Sequence, residues 1–193
     1  MTKIRLGVFA SGTGSNAVKI MDHFSNHPKV EIAFLLSNKS DAPVVKHSRE
    51  KGIKTIVLSN TEVDDGDLLN QVCKDEKTDF IVLAGYLRKI PVKLIHQYHD
   101  RIINIHPSLL PRHGGKGMYG KHVHEAVLSH GDQEAGISIH FVNEQFDEGR
   151  IIAQFRCSVD SSDTIETLQA KIQQLEHSYF PFVVEKTVLK YEL

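Results

Sequence analysis

The segment "NIHPSLLPRHGG" puts an amide, Asn104, and an imidazole, His106, two residues apart at the end of an apolar run. If "RIINIH" is a strand, alternate side chains share a face, and Asn104 and His106 point the same way. An amide N–H beside an imidazole can stabilise an oxyanion during acyl transfer, where one such donor is worth about 2.7–4 kcal/mol of barrier. Pro107 and Pro111 stiffen the chain as it leaves. The competing reading is a core histidine satisfied by a backbone carbonyl. Proton movement would need a carboxylate able to raise the histidine pKa. "FVNEQFDEGR" offers Glu144, Asp147 and Glu148 on a loop, and the pattern alone does not choose among them or exclude plain turn residues.

A second stretch, "FASGTGSNA", spaces Gly12, Gly14 and Ala17 as G-x-G-x-x-A between an apolar run and a helical pattern. Glycines let the backbone approach an anion, and N–H groups at a helix start face it with partial positive charge. Ser11, Ser15 and Asn16 add side-chain donors. The Gly-Lys-Ser/Thr of a nucleoside-triphosphate loop is absent, and "SNKS" stands where an NAD site expects an acid after the second strand. A single phosphate monoester held by Gly14, Ser15 and Asn16 is the simpler reading, against a capped turn with no ligand. There is no G-x-S-x-G elbow. Cys73 and Cys157 read as buried apolar groups of a reducing compartment. His122 and His124 lack the spacing of a zinc helix and read as surface residues or cleft lining, so no metal is expected.

The elements that must carry these groups alternate along the chain. "IRLGVFA", "VEIAFLLS", "IKTIVL", "DFIVLAG" and "RIINIH" read as buried strands, with helices over 15–27, 42–51, 67–76 and 91–98 between them. Such alternation implies a parallel sheet covered on both faces. A helix over 121–130 follows, and then "AGISIHFV" and "RIIAQFRCSV", too close together for a crossover and therefore antiparallel. A long last helix is expected to bend or break at Pro181. The fold class is α/β, Rossmann-like and mostly parallel, with antiparallel strands near the C-terminal end, in a single domain over 1–193. A formal net charge of −1 gives no case for nucleic acid, and no apolar run approaches the ~20 residues of a membrane span. A cytoplasmic protein acting on small molecules is expected.

Taken together, "SGTGSN", "VLAGYLRKI", "NIHPSLLP", "SIHFVNEQFDEGRII" and "QQLEHSYFP" make the whole chain resemble the folate-dependent formyltransferase family. Within it the chain is similar to the phosphoribosylglycinamide formyltransferases of de novo purine biosynthesis. The resemblance implies transfer of a formyl group from 10-formyltetrahydrofolate, a co-substrate, to the amine of 5-phosphoribosylglycinamide, without a metal. It also implies catalytic roles for Asn104, His106 and Asp147, with His106 kept charged by Asp147. Gly14, Ser15 and Asn16 match the substrate-phosphate site, and Glu176 the acid on the ribose hydroxyls. Leu87, Arg88, Lys89 and Ile90, with Asn104 and "VNEQFD", match the folate cleft. Replacing Gly14 by Val is then expected to weaken ribonucleotide binding more than folate binding.

Two segments depart from the pattern. "NTEVDDGDLL" lacks the Arg that some relatives use for the formyl donor, and the loop over 112–124 is longer, with Lys116 and Lys121 as possible phosphate ligands. The tRNA-dependent formyltransferases, the formyltetrahydrofolate hydrolases, an NADP-dependent reductase and a non-catalytic sensor are the alternatives. The near-neutral charge, a first strand at residue 3 or 4 and the intact trio set the expectation against them.

Overall fold

A computed structural model describes residues 2–190. The expected span 1–193 therefore includes Met1 and residues 191–193, which lie outside the described residues. Seven strands form one sheet in the order β3-β2-β1-β4-β5-β6-β7. They are β1 (Ile4–Phe9), β2 (Val30–Ser37), β3 (Thr55–Val57), β4 (Phe80–Leu83), β5 (Ile102–His106), β6 (Glu134–Phe141) and β7 (Ile151–Ser158). The first five run parallel, β6 is antiparallel to β5, and β7 is antiparallel to β6, as the spacing predicts.

Both sheet faces are apolar because the strands carry hydrophobic residues at successive positions. Leu6, Val8, Phe80 and Val82 point into one core cluster, while Phe9, Ile81 and Leu83 point into the other. The first face is covered by α1 (Ser15–Phe24), α2 (Pro43–Glu50), α6 (Lys121–Ser129) and α7 (Ile165–Val188). The second is covered by α3 (Asn60–Val63), α4 (Gly66–Asp75) and α5 (Val92–Gln97). Helices change face where the chain returns from β3 to the centre at β4, so the carboxyl ends of β1 and β4 flank a topological switch point. Open α/β sheets bind ligands there.

One element is unexpected, and one of the two outcomes expected at Pro181 is excluded. Helix α3 is a single turn that the pattern does not reveal, and it is set by a capping box in which Ser59 and Glu62 satisfy each other's backbone N–H. Helix α7 does not break at Pro181. It continues for 24 residues, with Phe180, Pro181, Val183 and Val184 all buried. Proline removes one backbone donor, and burial of this apolar face keeps the helix whole despite that loss. No helix among the described residues is long and apolar enough to cross a membrane.

Candidate active site

The alternation in β5 brings Asn104 and His106 to one face, and the antiparallel register of β6 sets His140 opposite Asn104 and Ser138 opposite His106. The His140 Nδ1–H donates to the Phe141 carbonyl at 2.9 Å, which leaves Nε2 to accept from the Asn104 amide at 3.1 Å. The amide plane is thereby fixed. His106 is buried, and its Nε2–H donates to the His113 carbonyl at 2.9 Å. Its other nitrogen, Nδ1, lies 3.5 Å from Asp147 Oδ2.

Asp147 sits between β6 and β7 in a left-handed conformation, φ +58. Its Oδ2 accepts the Gly115 N–H at 3.0 Å, and its Oδ1 is 3.7 Å from His140 Nε2. Gly149 turns this loop back so tightly that a Cβ there would overlap the Phe141 carbonyl oxygen. Of the three acids in the loop, only Asp147 reaches His106. Glu144 points to His96, 2.8 Å away, and Glu148 is exposed.

Burial lowers the His106 pKa most strongly, and it prevails over Asp147 and the His113 carbonyl, which act to raise it. For Asp147, burial pushes upward, but the nearby His140 ring, the charge of His106 and the Gly115 N–H together bring its carboxyl below the ordinary range. Without substrate the pair at neutral pH is therefore a neutral imidazole beside a carboxylate. This differs from the expectation that Asp147 keeps His106 charged, because desolvation of the ring outweighs one carboxylate 3.5 Å away.

The stiffness of the "HPSLLP" exit comes from more than its prolines. The buried Ser138 hydroxyl donates to the Ser108 carbonyl at 2.6 Å and accepts from the Leu110 N–H at 2.9 Å. Gln154 on β7 donates to both Ser138 Oγ and the Leu110 carbonyl. The Leu110–Pro111 bond is cis.

These groups open onto a cavity of about 380 Å³ at the carboxyl ends of the strands. Ser15, Asn16 and Glu176 line it from the side of α1 and α7. Leu87, Arg88, Lys89 and Ile90 line it where β4 leads to α5, and Asn104, His106 and Asp147 line it as well. Asn16 Nδ2 donates to Glu176 Oε2 at 2.9 Å, while its Oδ1 is buried without a partner. Burial raises the Glu176 pKa against that hydrogen bond. Across the cleft, Leu87 and Phe146 are 56% and 42% exposed, and Lys89 Nζ stands 5.4 Å from the Phe146 ring.

The structure places four further features of the sequence reading. Gly14 does not line the cavity. At φ +71 it starts α1, and a Cβ there would overlap the Val44 side chain of α2. Ser11 is not an anion donor, because its hydroxyl donates to Asn38 at 2.6 Å and accepts from the Leu87 N–H at 3.0 Å, tying three loops together. The segment without Arg supplies an acid instead, and Asp64 grips Arg88 through both carboxylate oxygens, at 2.8 and 2.5 Å. Lys116 and Lys121 lie outside the lining. It takes Gly115, Gly117, Met118, Tyr119 and Gly120 from their loop, while Lys121 pairs with Glu125.

Sequence reasoning missed His140, which only the strand register could reveal, since nothing in "SIHFV" says what lies opposite. His124 proves buried and lines the cavity, whereas His122 is exposed. Burial pushes the Cys73 thiol up to about 12, the opposite of an activated nucleophile. Among the described residues no group of three or more His, Cys, Asp or Glu is placed to hold a metal ion.

Comparison with known proteins matches residues 4–184 to the family described as formyl transferase. The chloroplastic phosphoribosylglycinamide formyltransferase of Arabidopsis thaliana is 41% identical over 186 residues, 93% of this chain, and the chain spans 64% of that protein's length. The phosphoribosylglycinamide formyltransferase of Escherichia coli K12 is 34% identical over 183 residues, 92% of this chain and 84% of that one. Among solved structures, the phosphoribosylglycinamide formyltransferase from Bacillus halodurans superposes with a TM-score of 0.87 at 36% identity, covering 97% of each chain.

Proposed function

The chain belongs to the formyl transferase family, and from that premise we propose that it is a cytoplasmic enzyme moving a formyl group from 10-formyltetrahydrofolate to the amine of 5-phosphoribosylglycinamide. The observation that carries this reading is one cavity joining three parts. The Asn104, His106 and Asp147 group shares it with a polar end at Ser15, Asn16 and Glu176 and with an apolar wall at Leu87, Ile90 and Phe146. The apolar wall beside Arg88 and Lys89 fits a flat ring system with an acidic tail, and the polar end fits a sugar phosphate.

In the proposed reaction the substrate amine attacks the formyl carbon, forming a C–N bond as the carbonyl electrons move onto oxygen. His140 takes one N–H of the Asn104 amide, leaving the second to donate to that oxyanion. The growing negative charge raises the proton affinity of His106, which takes up a proton on the nitrogen facing Asp147. Collapse breaks the bond to N10 of the donor, and the proton lost by the amine reaches N10 through this pair or through water. No covalent enzyme intermediate is needed, and holding both substrates in one cavity supplies orientation.

The direct test is formyl transfer to 5-phosphoribosylglycinamide with the folate donor, run beside formate plus ATP. Product is expected only with the folate donor; its absence there, or product from formate and ATP, overturns the reading. A second expectation concerns pH. Because burial raises the Glu176 pKa, its carboxylate is protonated, and so lost as a hydroxyl acceptor, at a higher pH than an ordinary glutamate. KM for the ribonucleotide should rise as the pH falls through that value, and Glu176→Gln should flatten the dependence. A profile of the same shape in the variant would remove Glu176 from this role.

A further inference from the structure

His113 has no part in the reaction as derived, yet its carbonyl makes one of the two polar contacts of His106. It lies between β5 and α6 at φ +53, a region that residues with side chains seldom occupy. The Ser108 hydroxyl, which donates to the Arg112 carbonyl at 2.6 Å and stands 3.5 Å from that of His113, holds the segment from one side, and the His113 ring holds it from the other. Nε2 is 2.7 Å from Asp132 Oδ2, and the two side chains are only 9% and 17% exposed. Asp132 follows Gly131, whose φ of +67 ends α6, and its own N–H donates to the Val127 carbonyl. Arg112 Nη1 stands 3.8 Å from the other carboxylate oxygen, and the His130 ring packs edge-on against His113 at 5.1 Å. The loop bearing the His113 carbonyl is thus tied to the end of α6.

That carbonyl decides the tautomer of His106. The carbonyl and the Asp147 carboxylate can both only accept, and the carbonyl is the nearer, 2.9 against 3.5 Å, so in the neutral ring Nε2 carries the hydrogen. The neutral ring then presents a bare Nδ1 to Asp147, and an added proton lands between ring and carboxylate. In the other tautomer that position would be filled before any reaction began, and Nε2 would set its lone pair against the carbonyl oxygen.

We propose that His113 and Asp132 form a positioning pair that holds the His113 carbonyl on the Nε2–H of His106 and so keeps the proton-accepting nitrogen facing Asp147. The kinetic consequence rests on the function proposed above; the tautomer does not.

The experiment is long-range 1H–15N spectroscopy of the histidine rings in the full chain, with steady-state kinetics alongside. Wild-type His106 should appear as the Nε2–H tautomer. Asp132→Ala should give a mixture, with kcat lower by about tenfold and KM little changed, the scale of one lost orienting hydrogen bond. Asp132→Asn keeps an oxygen acceptor for the His113 ring and should restore both readings. Should Asp132→Ala fail to fold, His113→Gly, whose backbone is free at positive φ, should give the same mixture. A wild-type ring already in the Nδ1–H form overturns the proposal. So do variants that lose only thermal stability while the Nε2–H tautomer and kcat stay as in wild type. A wild-type protein that does not transfer formyl groups would instead sink the functional reading and leave the tautomer result standing.

Discussion

Asp147→Asn is expected to slow formyl transfer by about 10²-fold or more while the protein stays folded, within the 10²–10⁴ range typical of a positioned acid–base group. Asparagine tolerates the left-handed backbone at φ +58, and its side-chain oxygen can still accept the Gly115 N–H, so the loop keeps its shape. What disappears is the negative charge facing His106 Nδ1 at 3.5 Å and His140 Nε2 at 3.7 Å. Burial already disfavours the charged form of His106, and without the carboxylate only the His113 carbonyl is left to offset that penalty as the oxyanion develops. Turnover at neutral pH, compared with circular dichroism of the same sample, is the measurement. A folded variant with near-wild-type turnover would show that the carboxylate has no part in the chemistry.

The same shifts set a stability profile. Both folded-state pKa values lie below those of the unfolded chain, so each group contributes stability above its unfolded value. That contribution is lost as the pH falls, for His106 from about 6.5 downward and for Asp147 from about 3.9 downward.

Gly14→Val should act on the whole fold and not on one ligand. The residue sits at φ +71, where a β-branched side chain is strained, and its Cβ would overlap Val44 across the α1–α2 contact. Backbone strain of about 1–3 kcal/mol and overpacking of about 1–3 kcal/mol together predict a loss of roughly 2–6 kcal/mol. That is a large share of a typical domain's stability. Gly12→Ala, where an added Cβ meets nothing within 4 Å, should stay within about 0.5 kcal/mol of wild type. Chemical denaturation of both variants, followed by titration with each substrate, separates the possibilities. If the valine variant kept its denaturation midpoint and lost only ribonucleotide affinity, Gly14 would be a phosphate contact after all.

Much of the site was legible because it depends on parity along single elements. Alternation in "RIINIH" was enough to put Asn104 and His106 on one face, and alternating strand and helix patterns were enough to place that strand end at the mouth of a parallel sheet. The choice of Asp147 over Glu144 and Glu148 was not legible from the pattern. All three lie within five residues of one loop, and only the folded loop, turned by Gly149 and held by Gly115, aims one of them inward. Ser11 was misread for a related reason, and the packing role of Gly14 against Val44 was not visible either. A glycine-rich turn that packs against a neighbouring helix looks, one residue at a time, like a turn that receives an anion.

The amino-acid order by itself determined the strand and helix sequence, the pairing of an amide with an imidazole at one strand end, and the presence of an acid within reach. These follow from periodicity and chain connectivity, which are local properties. Tertiary structure decided where the protons sit. The His140 ring opposite Asn104, the His113 carbonyl on His106, the burial of His106 and the partial burial of Asp147 come from distant segments meeting, and a proton's position depends on the solvent and charge those meetings leave around each group.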